Sequence, residues 1–196
     1  APYFGEILDV FGTDWERYYP LFARARYDVA NGSMKKSRDA LMAGGNGTAL
    51  GVYEINFHTT YGEVPVGIRN DFVSGAAGAL AMPLYTLTYM RDLGARDQCA
   101  FTAAQFDFRI ETGESVRLWG LLRDIESTAR KRPTWLGAEL ANRAIRGDMV
   151  DVDIGGDNPC LTIPAINGVE EKTELALIQA FAFRDAKSYG LIVFNL

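Results

Sequence analysis

Apolar and polar positions along the chain alternate between helical and strand periods, in an order that predicts the fold class. Trp15, Tyr18, Tyr19, Phe22, Arg26 and Val29 trace roughly one face at three- and four-residue steps, behind a Thr13/Glu16 capping box. A shorter helix is expected from Ser33 to the Gly44-Gly45 pair. Residues 50–57 (LGVYEINF) form an apolar, aromatic-rich run with one carboxylate, as a buried strand does. A long helix is expected from Asn70 or Asp71 to Gly94, with Phe72, Ala76, Leu80, Leu84, Leu87 and Met90 as its stripe and Pro83 as a kink. Its small residues 74–79 allow neighbours to pack closely.

Residues 98–108 (QCAFTAAQFDF) are again nearly continuously apolar, in the manner of a strand buried on both faces. Residues 109–131 read as loop, and Pro133 opens a helix that Gly147 ends. After Gly147 only strand patterns remain, at 149–154, 160–166, 174–183 and 189–194. Gly-Gly, Asp-Asn-Pro, Asn-Gly and Asp-Ala-Lys-Ser turns separate them. That spacing predicts antiparallel sheet or sandwich. The expected order is helices, strand, helix, strand, helix, then a strand-only tail.

Composition narrows the classes of function. With 48% hydrophobic residues in 196, the chain can bury a sizeable core, and disorder is excluded. The most apolar stretch, 72–90, is broken by Pro83, Tyr85 and Thr86 and falls short of the roughly 18 clean apolar residues of a membrane span. A net charge of −5 without a basic cluster argues against nucleic acid as a partner. Cys99 and Cys160 stand far apart in no CxxC pattern. They exclude a disulfide scaffold or zinc ribbon, leave the redox compartment open, and read as buried apolar fillers. Ala1-Pro2-Tyr3 carries no signal-peptide pattern, and residues 1–5 (APYFG) read like the tail of a strand.

Glu54 is the most informative residue. A carboxylate in the middle of a buried strand costs several kcal/mol unless it is paired or functional. A core Glu satisfied by an Arg or Tyr is an equally good reading of that feature alone. Asn56 and His58 follow at two-residue steps, so an extended strand directs all three toward one side. His58 is the only histidine, so no standard zinc site can form, and no cofactor is implied. A GxSxG elbow is absent, and the glycines at 44–47 precede a strand rather than a helix, unlike a phosphate loop. Trp119, in a polar loop, suits a sugar face or covers loose core, and Tyr3 and Tyr53 are candidates for the same lining. Asp107 and Glu111 are weaker polar candidates.

On these residues the chain resembles the C-terminal half of clan A glycoside hydrolases, retaining enzymes with a (β/α)8 barrel followed by a β-sandwich. Residues 1–5 are similar to the end of barrel strand six, and Val52-Tyr53-Glu54-Ile55-Asn56 to strand seven with its nucleophile. Residues 132–142 (RPTWLGAELAN) are similar to the eighth barrel helix. The resemblance implies an α/β fold: a partial (β/α)8 barrel segment over residues 1–145, followed by antiparallel β-sandwich strands over 146–196. It implies that Glu54 attacks the anomeric carbon of a carbohydrate substrate, while a second carboxylic acid about 5 Å away protonates the leaving oxygen. Tyr3, Tyr53, Asn56, His58 and Trp119 would line the sugar site.

The clan places its acid/base Glu at the end of strand four, and no position here corresponds to it. Three strands do not close an eight-stranded barrel. The expected partner is therefore the missing N-terminal barrel half or another chain, and this chain alone is expected to be inactive. A non-catalytic carbohydrate-binding or scaffold protein is the alternative.

Overall fold

A computed structural model describes residues 8, 14, 16, 19–57, 63–165 and 170–196. The architecture is mixed α and β. A 3-10 turn, Tyr19–Arg24, leads into α1 (Ala25–Asn31) and α2 (Ser33–Ala43). Gly32 separates these two helices in extended backbone (φ −79°, ψ 174°). The expected second helix thus has its bounds nearly as read, with Gly44 at its end. Thr13, Trp15 and Tyr18 lie outside the described residues.

β1 (Val52–Ile55) pairs in parallel with β2 (Gln98–Ala100). Parallel neighbours need a long crossover, and here it is helical: α3 (Val66–Ser74) and α4 (Ala76–Leu93). The long helix expected from Asn70 is therefore two. It starts earlier, directly after Pro65, and breaks at Gly75 (φ −99°, ψ −159°). A Cβ at Gly75 would lie 2.5 Å from the Asp71 carbonyl oxygen, so glycine there lets the chain turn sharply between the helices. Gly94 ends α4 in the left-handed region at φ +68°.

The run 98–108 also divides. Its first three residues pair with β1, but beyond Phe101 the backbone peels away and bonds to a later segment. The amides of Leu121 and Leu122 donate to Thr102 and Ala103, and that of Gln105 donates to Leu122, at 2.8–3.0 Å. The expected loop 109–131 contains most of two hairpins, β3 (Asp107–Arg109) with β4 (Ser115–Arg117) and β5 (Leu122–Arg123) with β6 (Arg130–Lys131). Asn70 docks the first onto α3 as a peptide mimic. Its amide donates to Ser115 O at 2.8 Å and accepts from Arg117 N at 2.7 Å.

α5 (Pro133–Asn142) packs on α4. The small residues of 74–79 allow this close approach, since Gly78 faces Thr134 and Gly137 sits against Ala79. The tail is antiparallel: β7 (Asp148–Val150), β10 (Ile178–Arg184) and β11 (Tyr189–Asn195) form one sheet, and β8 (Cys160–Ile163) with β9 (Lys172–Ala176) another. Leu177 divides the single strand expected at 174–183. No sheet closes into a barrel among the described residues.

One apolar cluster crosses residue 145, uniting Phe22, Phe57, Phe72 and Leu84 with Ile163, Leu175, Phe181 and Phe194. Phe22, Phe57 and Phe72 pack in sequence, the first pair edge-to-face and the second tilted, with ring centroids 5.8 and 5.1 Å apart. Gln179 on β10 donates to Ala23 O at 3.0 Å, and the Arg91 guanidinium of α4 lies 4.8 Å from the Phe181 ring centroid. The other face of the β7–β10–β11 sheet is uncovered along β11, where Tyr189, Leu191 and Val193 are exposed. Cys99 and Cys160 are exposed rather than buried, because each sits on a two-stranded sheet with too few neighbours to cover it.

The α4–α5 approach leaves no room for a side chain at Gly137. A Cβ at Gly137 would stand 2.1 Å from the Ala79 carbonyl oxygen, a backbone atom that cannot rotate away. Gly137→Ala should cost about 1–3 kcal/mol by overpacking, more than the roughly 1 kcal/mol alanine gains in a helix. Urea unfolding followed by circular dichroism should show a lower midpoint; an unchanged or higher midpoint would refute the contact.

Candidate functional site

Glu54 lies one residue before the end of β1. It is exposed, contrary to the buried position expected from its apolar neighbours. Two features cause this. The β1–β2 register shifts between Val52 and Ile55, so Val52 and Ile55 are both buried while Tyr53 and Glu54 are both exposed. The pair also has no third strand among the described residues, so both its edges are open and little packs beside Glu54.

Asn56 shares a side with Glu54, as the two-residue step predicts. It is buried, and its Nδ2 donates to Glu54 Oε1 at 2.8 Å, fixing one carboxylate oxygen. The Asn56 Oδ1 is buried without a hydrogen-bond partner among the described residues. Tyr53 is 91% exposed. Tyr3 and His58 lie outside the described residues.

Trp119 follows β4 and is half-buried, between the rings of Phe101 and Phe106, each with its centroid 5.9 Å away. Phe101 is the residue after β2, and its amide donates to Ile55 O at 2.9 Å. The aromatic trio thus starts at the backbone that joins the C-terminal ends of the two strands. Phe101 and Phe106 keep more than a third of their surface exposed, so the cluster offers a ring-lined surface rather than a closed core. Sequence reading missed both phenylalanines because their segment reads as strand; the aromatic spacing in FTAAQF was the available signal.

Arg132 was missed as well, being read only as the lead-in to a helix. It is 5% exposed and holds the Trp119 turn at two points. Its backbone amide donates to Leu121 O at 3.0 Å, and its Nη1 donates to Leu118 O at 3.3 Å. Gln105 backs the same turn, for a Cβ at Gly120 would meet Gln105 Cα at 2.4 Å. Burial, then repulsion from Arg117 and Arg123, lowers the Arg132 pKa to about 10, with Asp107 opposing the shift. Asp107 itself accepts a hydrogen bond from Gln105 Nε2 at 2.6 Å, and Glu111 is solvated.

Among the described residues, no three His, Cys, Asp or Glu side chains gather as a metal site requires, and no helix is long and apolar enough to cross a membrane. Compared with known protein families, curated proteins and solved structures, the chain matches none.

The arrangement can present one oriented carboxylate and a ring-lined aromatic surface. If Arg132 holds that surface, Arg132→Ala should loosen the turn and hydrate the indole. In a background where Trp119 is the sole tryptophan (Trp15→Phe, Trp135→Phe), the fluorescence maximum should move to the red. An emission spectrum that Arg132→Ala leaves unchanged would show that the turn holds its shape without the guanidinium.

Proposed function

We propose that this chain is the C-terminal portion of a retaining glycoside hydrolase acting on a poly- or oligosaccharide, with Glu54 as its nucleophile. The observation that carries the reading is the parallel pairing of β1 with β2 across a helical crossover, with Glu54 near the C-terminal end of β1. Barrel enzymes build their sites where strand C-termini and the following loops converge. An antiparallel hairpin between these segments would have contradicted it. In this reading β1 and β2 are strands seven and eight of a (β/α)8 barrel, α5 is its last helix, and 146–196 contributes sandwich strands. The open face of β1–β2 and the uncovered apolar side of β11 are what a partial barrel and a one-layered sandwich expose.

The chemistry follows from the residues at hand. Asn56 holds Glu54 Oε1, leaving Oε2 to attack the anomeric carbon and form a glycosyl-enzyme ester. As that ester forms, a carboxylic acid from outside this chain protonates the departing oxygen, and it later activates water. Phe101, Phe106 and Trp119 supply a hydrophobic surface for a sugar ring. Removing Trp119 should weaken binding by roughly 1–3 kcal/mol, the scale of burying one large apolar side chain. That half-exposed trio also suits a protein that holds a glycan without cleaving it, and the test must separate the two.

A 2-fluoro glycoside with a dinitrophenolate leaving group makes that separation, because such a group departs without protonation and so does not require the absent acid. Incubated with the protein carrying its barrel half, it should add one glycosyl mass to a peptide containing Glu54, and Glu54→Gln should abolish the adduct. Saturable binding of the same glycoside with no adduct would favour the binding protein.

A further inference from the structure

A second site lies away from Glu54, where α1, the start of α2, α4 and β9 meet. They line a cavity of about 440 Å³ that is open to solvent. Its walls include the rings of Tyr27, Tyr85 and Tyr89 and the charged groups of Arg24, Asp28 and Lys172. Arg24 and Lys172 are each more than nine-tenths buried, at 8% and 7% exposure.

The charged groups are not all paired. The Asp28 Oδ2 accepts from Arg24 Nε and from the Tyr85 hydroxyl, both at 2.8 Å, so that carboxylate is committed. The Lys172 ammonium lies 3.9 Å from the Tyr27 ring centroid, and among the described residues it forms no ion pair. Glu170 stands exposed at the mouth without reaching it. A cation over an aromatic face recovers only part of the hydration lost on burial. Among the described residues the cavity therefore holds one ammonium without an ion pair, beside phenolic rings. Burial and the nearby Asp28 raise the Tyr85 and Tyr89 hydroxyls above the ordinary phenol range, which keeps both as neutral O–H groups.

We propose that this cavity binds a small ring-shaped carboxylate, its anionic group on the Lys172 ammonium and its ring against the tyrosines. One ammonium without an ion pair matches a monocarboxylate better than a phosphate, which brings close to two negative charges. The ring surfaces of Tyr27, Tyr85 and Tyr89 favour a flat or cyclic body over an extended chain. A uronic acid and an aromatic acid share this chemistry. The site does not depend on the reading of Glu54.

Titrating the isotopically labelled chain with sodium glucuronate, sodium benzoate, glucose, benzyl alcohol and inorganic phosphate tests the proposal by amide chemical shifts. One or both carboxylates should produce saturable shifts at Tyr27, Asp28 and Lys172, with a dissociation constant of about 1 mM that weakens as salt is added. Glucuronate without benzoate would identify a uronic acid, and the converse an aromatic acid. Lys172→Met, which keeps an unbranched apolar stem beside Tyr27, should weaken binding about tenfold or more, and Lys172→Arg should retain most of it. Three outcomes overturn the proposal: neither carboxylate saturating, the neutral analogues shifting the same residues equally, or phosphate alone binding. The titration of the unaltered chain decides these even if Lys172→Met fails to fold.

Discussion

The parallel pairing of β1 with β2 is the constraint from which the rest of the structure follows. Strands joined in parallel cannot be connected by a tight turn, so the chain between them must cross a face of the sheet. It does so as α3 and α4, and α4 then becomes the element that the others meet. Tyr85 reaches α1 through Asp28, Arg91 lies on Phe181 of β10, and Gln98 at the start of β2 donates to Thr86 O at 2.8 Å. The glycine-mediated approach of α5 completes that side. With one face of the strand pair covered by helices, the other presents Glu54 to solvent, and Phe101 leads directly from β2 into the aromatic cluster.

Among the described residues the site presents one oriented carboxylate, Glu54. Asn56 spends a buried amide on holding Glu54, an arrangement that makes physical sense where the direction of a carboxylate matters. Arg132 is placed at similar cost, since its guanidinium is buried near Arg117 and Arg123 and its pKa falls to about 10. A buried cation is weak evidence of stability. Its bonds to Leu118 O and from its amide to Leu121 O fix the turn that carries Trp119.

Elements bounded by local signals were legible in the sequence. Gly44 and Pro133 marked α2 and α5 correctly, and the turn-rich tail proved antiparallel. The Glu54–Asn56 relation followed from the two-residue period of a strand. What failed was burial. Glu54, Cys99 and Cys160 were read as buried because their neighbours are apolar, yet burial depends on what packs above a face, and apolar runs do not record that. The division of residues 98–108 was hidden for a related reason: the backbone partner of 102–106 is the segment 118–122, and pairing across such distances leaves no local pattern. Gly75 was readable as a breaker, but its small neighbours disguised it as one more packing residue.

The parallel register can be measured directly. Cross-strand nuclear Overhauser effects in the isotopically labelled chain should connect Val52 with Gln98, Ile55 with Ala100, and the Phe101 amide with Ile55, as the observed pairing requires. Effects joining Val52 to Ala100 and Ile55 to Gln98 would mean an antiparallel hairpin, and would remove the basis for placing Glu54 at the mouth of a barrel site.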